Sequence, residues 1–518
     1  MYDLLIKNGT LIDGTGAVGY HCDIAVENGK IARIARNITG ESKKTIDAKG
    51  LTVTPGFIDS HSHSDNAIFE YPDMIEKIEQ GITTSIAGQC GSSMAPIYTK
   101  ENNNKEIEGV GNLENILLTF KSFADAAKTI PLGSNNMSFI GHGSLRRAVM
   151  GYENKKPTAD EMEQMKVFLR DAMENGAIGL SFGLMYTPGC YADTEELIEL
   201  AMIVKEYDGI LSAHIRDEGF ELVRAVKEFL TVIKAAGVKG IFSHHKSAYS
   251  ENWGKVTHTI RMMEEAVNEG YDIYCDVYPY TALHTGLVSL LIPKELRDKN
   301  GEGIAELVMD PDMRKKIKEE YVKKHGNSLH HLLITICRGL PEYVGKRIDE
   351  IAKMRGQDDF DAAFDIIHDT LTGVNVCDFS LCDEDVSAVI KYERSMICTD
   401  STVVKNNSGY HPRVRGTFPR AIGRYVREKG VVSLPEMIRK CTSMPAFVYG
   451  LTSKGLLAEG FDADICIFDA DKIIDKADYI NRHEHCEGLN YVILDGEIVV
   501  ENAVYNGKKM GRFIPRQR

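Results

Sequence analysis

Between Pro55 and about residue 447, short apolar runs alternate with amphipathic stretches, and this alternation constrains the fold more than any other feature. Ala177-Ile178-Gly179-Leu180-Ser181, Ile210-Leu211-Ser212-Ala213-His214, Gly240-Ile241-Phe242-Ser243-His244 and Ile273-Tyr274-Cys275-Asp276-Val277-Tyr278 read as buried strands. Segments with helical period separate them. Thr158 to Glu161 has capping-box form ahead of Met162, Met165, Phe168, Leu169 and Ala172, and Gly176 closes that helix. Further helices are expected over residues 71–80, 195–207, 220–236 and 257–269. Repeated strand–helix units imply a parallel sheet with right-handed crossovers. About eight units fit, so the expected α/β fold is a TIM-like (β/α)8 barrel over residues 55–447, with an open doubly wound sheet as the alternative. No G-x-G-x-x-G follows the first strand, which counts against a dinucleotide fold.

Both ends of the chain change character. Residues 1–54 read as β structure, with Asn28-Gly29 joining Asp23–Val26 to Lys30–Ile34. Residues 448–518 repeat the pattern, with Asp495-Gly496 between Tyr491–Leu494 and Glu497–Val500. Neither fragment is long enough to hold a core alone. The two are expected to pair as one small β-sandwich domain. Ile97 to Lys128 is a polar, Asn- and Glu-rich excursion. A second excursion, near 287–328, follows a strand end and reads equally as a lid over the barrel mouth or as surface structure. Leu332–Cys337 and Ser395–Asp400 are the remaining strands.

Composition narrows the function classes. A net charge of −14 without a basic block argues against nucleic acid as a partner. No apolar run reaches the roughly 18 residues of a membrane span, and the N-terminus lacks the form of a signal peptide. Eleven cysteines, an odd number without C-x-x-C spacing, suit reduced thiols and a cytoplasmic location. The sequence leaves a homo-oligomer open.

Several strands end in a residue able to bind metal or react. Leu51, Val53, Phe57 and Ile58 lead into Asp59-Ser60-His61-Ser62-His63, and in an extended chain His61 and His63 share a face. Cys90, His214, His244 or His245, and Asp400 also stand at strand ends. Parallel strands converge at one mouth, where barrel sites lie. Each residue has a bland reading too: Cys90 as a buried thiol, His214 as a rim histidine, Asp400 as a helix cap. Alternation lets only one of His244 and His245 face inward and does not say which.

These residues resemble the amidohydrolase superfamily, and within it the D-aminoacylase, or N-acyl-D-amino-acid deacylase, group. The resemblance covers nearly the whole chain. It rests on Pro55-Gly56-Phe57-Ile58-Asp59-Ser60-His61-Ser62-His63, Gly88-Gln89-Cys90-Gly91, Gly179-Leu180-Ser181-Phe182-Gly183, Ser212-Ala213-His214, Ser243-His244-His245-Lys246, Tyr278-Pro279-Tyr280 and His411-Pro412-Arg413. It implies zinc-dependent hydrolysis of N-acyl-D-amino acids. His61, His63 and Asp400 would match one metal position, often weakly filled. Cys90, His214 and His244 would match a tighter one. The resemblance also makes Asp400 the general base and acid, and gives Lys246, Tyr280 (or Tyr278) and Arg413 to the substrate carboxylate. Thr281 to Gly286, including His284, and residues 340–395 depart from the group's pattern.

The residue types suit that chemistry. A thiolate ligand favours zinc over magnesium or calcium. Arginine offers a fork matched to a carboxylate, and lysine a point charge. Two other functions compete. Cyclic-amide hydrolases similar to hydantoinases or dihydroorotases usually carry a barrel lysine where this chain has Cys90. A non-catalytic assembly protein on the same fold would have lost metal ligands that are all present here.

Overall fold

The computed structural model describes residues 1–97, 106–107, 111–403 and 411–517. Its strands separate by pairing sense. All ladders among Ile140–Gly141, Gly179–Gly183, Ile210–His214, Lys239–Phe242, Ile273–Val277 and Ser395–Ile397 are parallel. So are those joining Asn135–Ser138, Ile82–Ala87 and Phe57–Asp59. The two parallel sheets adjoin through single bonds. The Phe139 amide donates to the Ala87 carbonyl at 2.9 Å, and the Ile178 amide to Ser138 at 3.0 Å. At the opposite edges, Ser62 and Ser401 form a parallel bridge. The fold is mixed α/β.

Helices fill the crossovers for local reasons. In Ala159–Glu174 the Thr158 hydroxyl accepts from the Glu161 amide, and the Glu161 carboxylate accepts from the Thr158 amide. Met162, Met165, Leu169 and Ala172 form the buried stripe. Leu222–Ala236 ends at Gly237 in the left-handed region. The expected helix over 71–80 is shorter and broken. Ala67–Glu70 and Ile75–Ile78 are separate turns, with Met74 at φ +45° between them.

Strands from both chain ends share one nine-stranded sheet. The seam is antiparallel, with Ile465 opposite Pro55 and Phe468 opposite Thr52. Asn28-Gly29 and Asp495-Gly496 all have positive φ, as a type I′ hairpin turn requires. Leu4, Ile6, Leu11, Ile24, Val26, Val53, Ile465 and Ile467 form the core of this sheet.

Leu332–Cys337 does not join the parallel strands. It lies antiparallel to Val374–Asp378, which also pairs with Leu283–Gly286. An uninterrupted apolar run specifies burial but not a partner, so its periodicity could not distinguish the two sheets. The second excursion is therefore larger than 287–328. It carries helices Leu287–Leu291, Gly301–Leu307 and Pro311–His325, and a separate apolar core from Leu287 to Val376. Of the first excursion, residues 98–105 and 108–110 lie outside the described residues. No described helix is long and apolar enough to cross a membrane.

Candidate metal centre and substrate cavities

Cys90, His244 and Asp400 are held in a backbone conformation that side chains rarely adopt. Their φ angles are +53°, +36° and +46°. Such strain persists only where the surroundings fix it, and it is typical of functional sites. At Cys90 the fixing is visible. A Cβ on Gly183 would lie 1.9 Å from the Cys90 carbonyl oxygen, and one on Gly91 (φ +73°) would lie 2.6 Å from the Gly183 nitrogen. The glycines let two strand ends touch and turn the thiol inward.

The thiol is central. Cys90 Sγ lies 3.2 Å from His61 Nε2, 3.2 Å from His244 Nε2 and 3.6 Å from His214 Nδ1. His61 Nε2 and His63 Nε2 lie 3.5 and 3.1 Å from Asp400 Oδ1. His63 is the only one of these six side chains with marked exposure, 31%. Four donors (His61, Cys90, His244 and Asp400) fall within 4.8 Å of one another. Ligands bonded to zinc at 2.0–2.3 Å in a tetrahedron stand roughly 3.3–3.8 Å apart, so this spacing fits such an ion. The soft sulfur and imidazole set also selects zinc-like metals over hard cations. His245 faces away, stacked 4.2 Å from Phe242 with Nε2 3.0 Å from Thr259 Oγ1.

Two carboxylates behind the histidines, the buried Asp276 and the partly buried Glu218, were missed in the sequence. Glu218 Oε1 lies 3.0 Å from His244 Nδ1 and accepts from Lys246 Nζ at 2.6 Å. Asp276 Oδ1 accepts from the His244 amide at 2.5 Å and lies 3.6 Å from His61 Nδ1. Carboxylates in this position fix imidazole orientation and tautomer. Asp276 had a readable signal, a charge in the middle of a buried strand. Glu218 had only its place four residues after His214. Burial would raise the Glu218 carboxyl, but Lys246, His214 and His244 hold it well below its usual range. Burial pushes His214 down to about 4 and His244 well below its ordinary value, so both imidazoles are neutral at pH 7, the form able to bind a metal.

The loop bearing Asp400 is clamped from beneath. Lys77 Nζ, fully buried, donates to Asp59 Oδ2 at 2.9 Å, Thr399 Oγ1 at 2.7 Å and the Ser401 carbonyl at 3.0 Å. Asp59 Oδ1 accepts from the Thr399 amide at 2.8 Å. Lys77→Met should cost about 3–5 kcal/mol, because it leaves the Asp59 charge buried and uncompensated. Adding Asp59→Asn should recover much of that loss. Thermal unfolding of the single and double variants checks this, and a double variant no more stable than Lys77→Met would refute the pairing argument.

Of the residues expected to hold substrate, Arg413 and Lys246 flank the centre. Arg413 Nη1 lies 2.9 Å from Asp400 Oδ2. Both cations face the Tyr278 ring, at 4.6 and 5.4 Å. Tyr280 is placed elsewhere: its hydroxyl donates to Asp475 at 3.3 Å, and it lines neither cavity at the centre. Tyr278 and Tyr280 lie beyond the strand Ile273–Val277, where the Tyr280 amide turns back to the Tyr278 carbonyl at 2.9 Å, so the i, i+2 spacing does not put them on one face. Two cavities meet here, of roughly 470 and 760 Å³, and Asp400, His284, Thr285 and Tyr186 border both.

A buried sulfur–imidazole–carboxylate cluster at the ends of parallel strands is a donor set of the metal-hydrolase kind. The chain belongs to the amidohydrolase family, whose model matches residues 44–293 and 313–500. It is 32% identical to a D-aminoacylase of Alcaligenes xylosoxydans xylosoxydans over 99% of this chain and 98% of that one. It is 30% identical to an N-acyl-D-aspartate deacylase of the same organism, over 99% and 94%. A solved N-acyl-D-glutamate deacylase from Bordetella bronchiseptica, complexed with zinc and a phosphonate mimic of the tetrahedral intermediate, superposes with a TM-score of 0.83. It shares 28% identity over all of both chains.

Proposed function

We propose that this chain is a zinc-dependent N-acyl-D-amino-acid deacylase, cleaving the amide to a D-amino acid and a carboxylate. The observation that carries the reading is the Cys90 thiol set among His61, His214 and His244, with the Asp400–Arg413 pair beside it at the junction of two cavities. The relatives supply the D configuration. Cys90, His214 and His244 would hold one zinc tightly, and His61, His63 and Asp400 a second more weakly. Bound zinc supplies Lewis acidity and brings the pKa of its water to roughly 7. Asp400 would take the proton from that water and deliver it to the leaving nitrogen. Arg413 and Lys246 would anchor the α-carboxylate, with Tyr278 as the aromatic surface between them.

The eight strand positions at 57–59, 82–87, 135–141, 179–183, 210–214, 239–242, 273–277 and 395–397 support a closed (β/α)8 barrel. On this reading the shared sheet belongs to a small β-sandwich domain made by residues 1–54 and 448–518. All eleven cysteines are free thiols, in keeping with a cytoplasmic location.

Amine release from matched N-acetyl-D- and N-acetyl-L-amino acids tests the function. Turnover is expected for the D series alone. Chelation should abolish it, and added zinc should restore it. A zinc-loaded protein inactive on both series would rule the reading out.

A further inference from the structure

In the smaller cavity a cation stands without an anion among the described residues. Helix His142–Met150 follows the strand Ile140–Gly141 and seats its first turn on the loop that carries Cys90. The Ser144 amide donates to the Gly91 carbonyl at 3.1 Å, and the Ser93 amide to Ser144 Oγ at 3.0 Å. A Cβ on Gly143 would stand 2.8 Å from the Gly91 carbonyl oxygen, so this close approach needs glycine. Neighbouring residues of a helix project about 100° apart, and the two adjacent arginines here point to different places. Arg146 is fully buried and paired with Glu196, whose carboxylate also lies 2.8 Å from His142 Nε2. Arg147 instead lines the cavity with His63, Cys90, Asp400 and Arg413. Its Nε is buried with no hydrogen-bond acceptor, and no carboxylate pairs with it among the described residues.

Charge and size both bear on what this cavity takes. Asp400 is the one carboxylate among its described lining residues, and Arg413 already answers it at 2.9 Å. The wall therefore carries net positive charge in a chain whose net charge is −14. The cavity measures roughly 470 Å³. A methyl group takes about the room of one water, roughly 30 Å³ in the liquid. An acetyl group thus leaves most of the space unfilled. On the deacylase reading the scissile amide lies where the two cavities meet, beside the metal donors. Lys246 and Tyr278 line the larger cavity, which directs the amino-acid half of the substrate there and the acyl half into the smaller one. Resting on that reading, we propose that Arg147 receives a carboxylate at the far end of the acyl group. D-amino acids acylated by a dicarboxylic acid, such as the N-succinyl derivatives, are then the preferred class. A guanidinium binds a carboxylate through charge-assisted hydrogen bonds, whereas a neutral acyl chain leaves its Nε unanswered. Water adds across the amide C–N bond as for any acyl group, and the products are a dicarboxylate and the D-amino acid.

The test compares kcat/KM of the zinc-loaded enzyme for the N-succinyl, N-succinamoyl and N-acetyl derivatives of D-leucine and of D-glutamate. The succinamoyl group has the shape of succinyl without its charge. The wild-type enzyme should favour succinyl over succinamoyl by about tenfold. That is the lower end for a hydrogen bond to a charged group, because Arg147 is only partly buried. The ratio should be the same on both amino acids, which ties it to the acyl half. Arg147→Met should erase it through KM for the succinyl substrates, with the ratio of succinamoyl to acetyl unmoved. Arg147→Lys should keep part of it. A wild-type enzyme that treats succinyl and succinamoyl alike, or prefers succinamoyl, overturns the proposal without any variant being needed. So does a preference that survives Arg147→Met. Equal loss on every substrate in that variant also overturns it and leaves Arg147 a structural part of its helix. Silence on all D substrates, with zinc bound, defeats the deacylase reading itself.

Discussion

Cys90→Ala should strip the chain of most of its zinc. Cys90 is within 3.6 Å of three imidazole nitrogens, so the thiol is the hub of the donor set rather than one corner of it. Burial pushes the Cys90 thiol well above its ordinary range, which makes it a neutral, reluctant group in the absence of a cation. A bound metal reverses that, because only the thiolate ligates. His214, at about 4, and His244 already favour the neutral form at pH 7. The proton that zinc must displace is therefore the thiol's. On the proposed assignment, removing the sulfur would take away the one soft anionic donor and leave Asp400 as the only negative one among the four closest groups. Changes behind a ligand cost ~10–100-fold in metal affinity, and loss of the ligand itself should cost more. Activity should fall with zinc content and recover only partly at millimolar zinc. Elemental analysis beside turnover measures both. A full complement of zinc in the alanine variant would take Cys90 out of the centre.

What the sequence disclosed, and what it withheld, follows from the range of each interaction. The turns at Asn28-Gly29 and Asp495-Gly496 and the cap at Thr158 are set by neighbouring residues, and the structure has all three. His61, His63, Cys90, His214, His244 and Asp400 were legible because each ends an apolar run, and parallel strands bring such ends together. The choice between His244 and His245 needed the family resemblance. Positive φ at His244 disrupts the alternation on which a strand argument depends. Leu332–Cys337 was assigned to the wrong partners because burial is written in the residue types while pairing is written in the rest of the chain. Glu218, Asp276 and the Lys77–Asp59 clamp left weaker traces. Buried carboxylates are recognised by what neutralises them, and those partners come from other strands and helices.

Asp400→Asn should lower kcat by ~10²–10⁴-fold, the usual contribution of a positioned proton carrier, with KM little changed. The substitution keeps shape and removes charge. The Asp400 carboxylate is buried, which by itself would raise its pKa, but Arg413 and the surrounding histidines hold it well below the usual carboxylate range. It is thus an anion at neutral pH. The 2.9 Å contact with Arg413 makes it a weak base. If Arg413 anchors the substrate carboxylate as proposed, that second negative charge would draw the guanidinium's field away from Asp400 and raise its proton affinity. Binding and proton transfer would then be coupled through one side chain. Asparagine can accept hydrogen bonds from His63 but cannot take up a proton. Cys90, His214 and His244 remain intact in this variant, so the tightly held zinc should stay. The measurements are kcat, KM and zinc content on the same preparation. A variant that retains its zinc and keeps kcat within tenfold of the parent would end the role proposed for Asp400. Loss of the tightly held zinc together with activity would place Asp400 among the ligands of that ion.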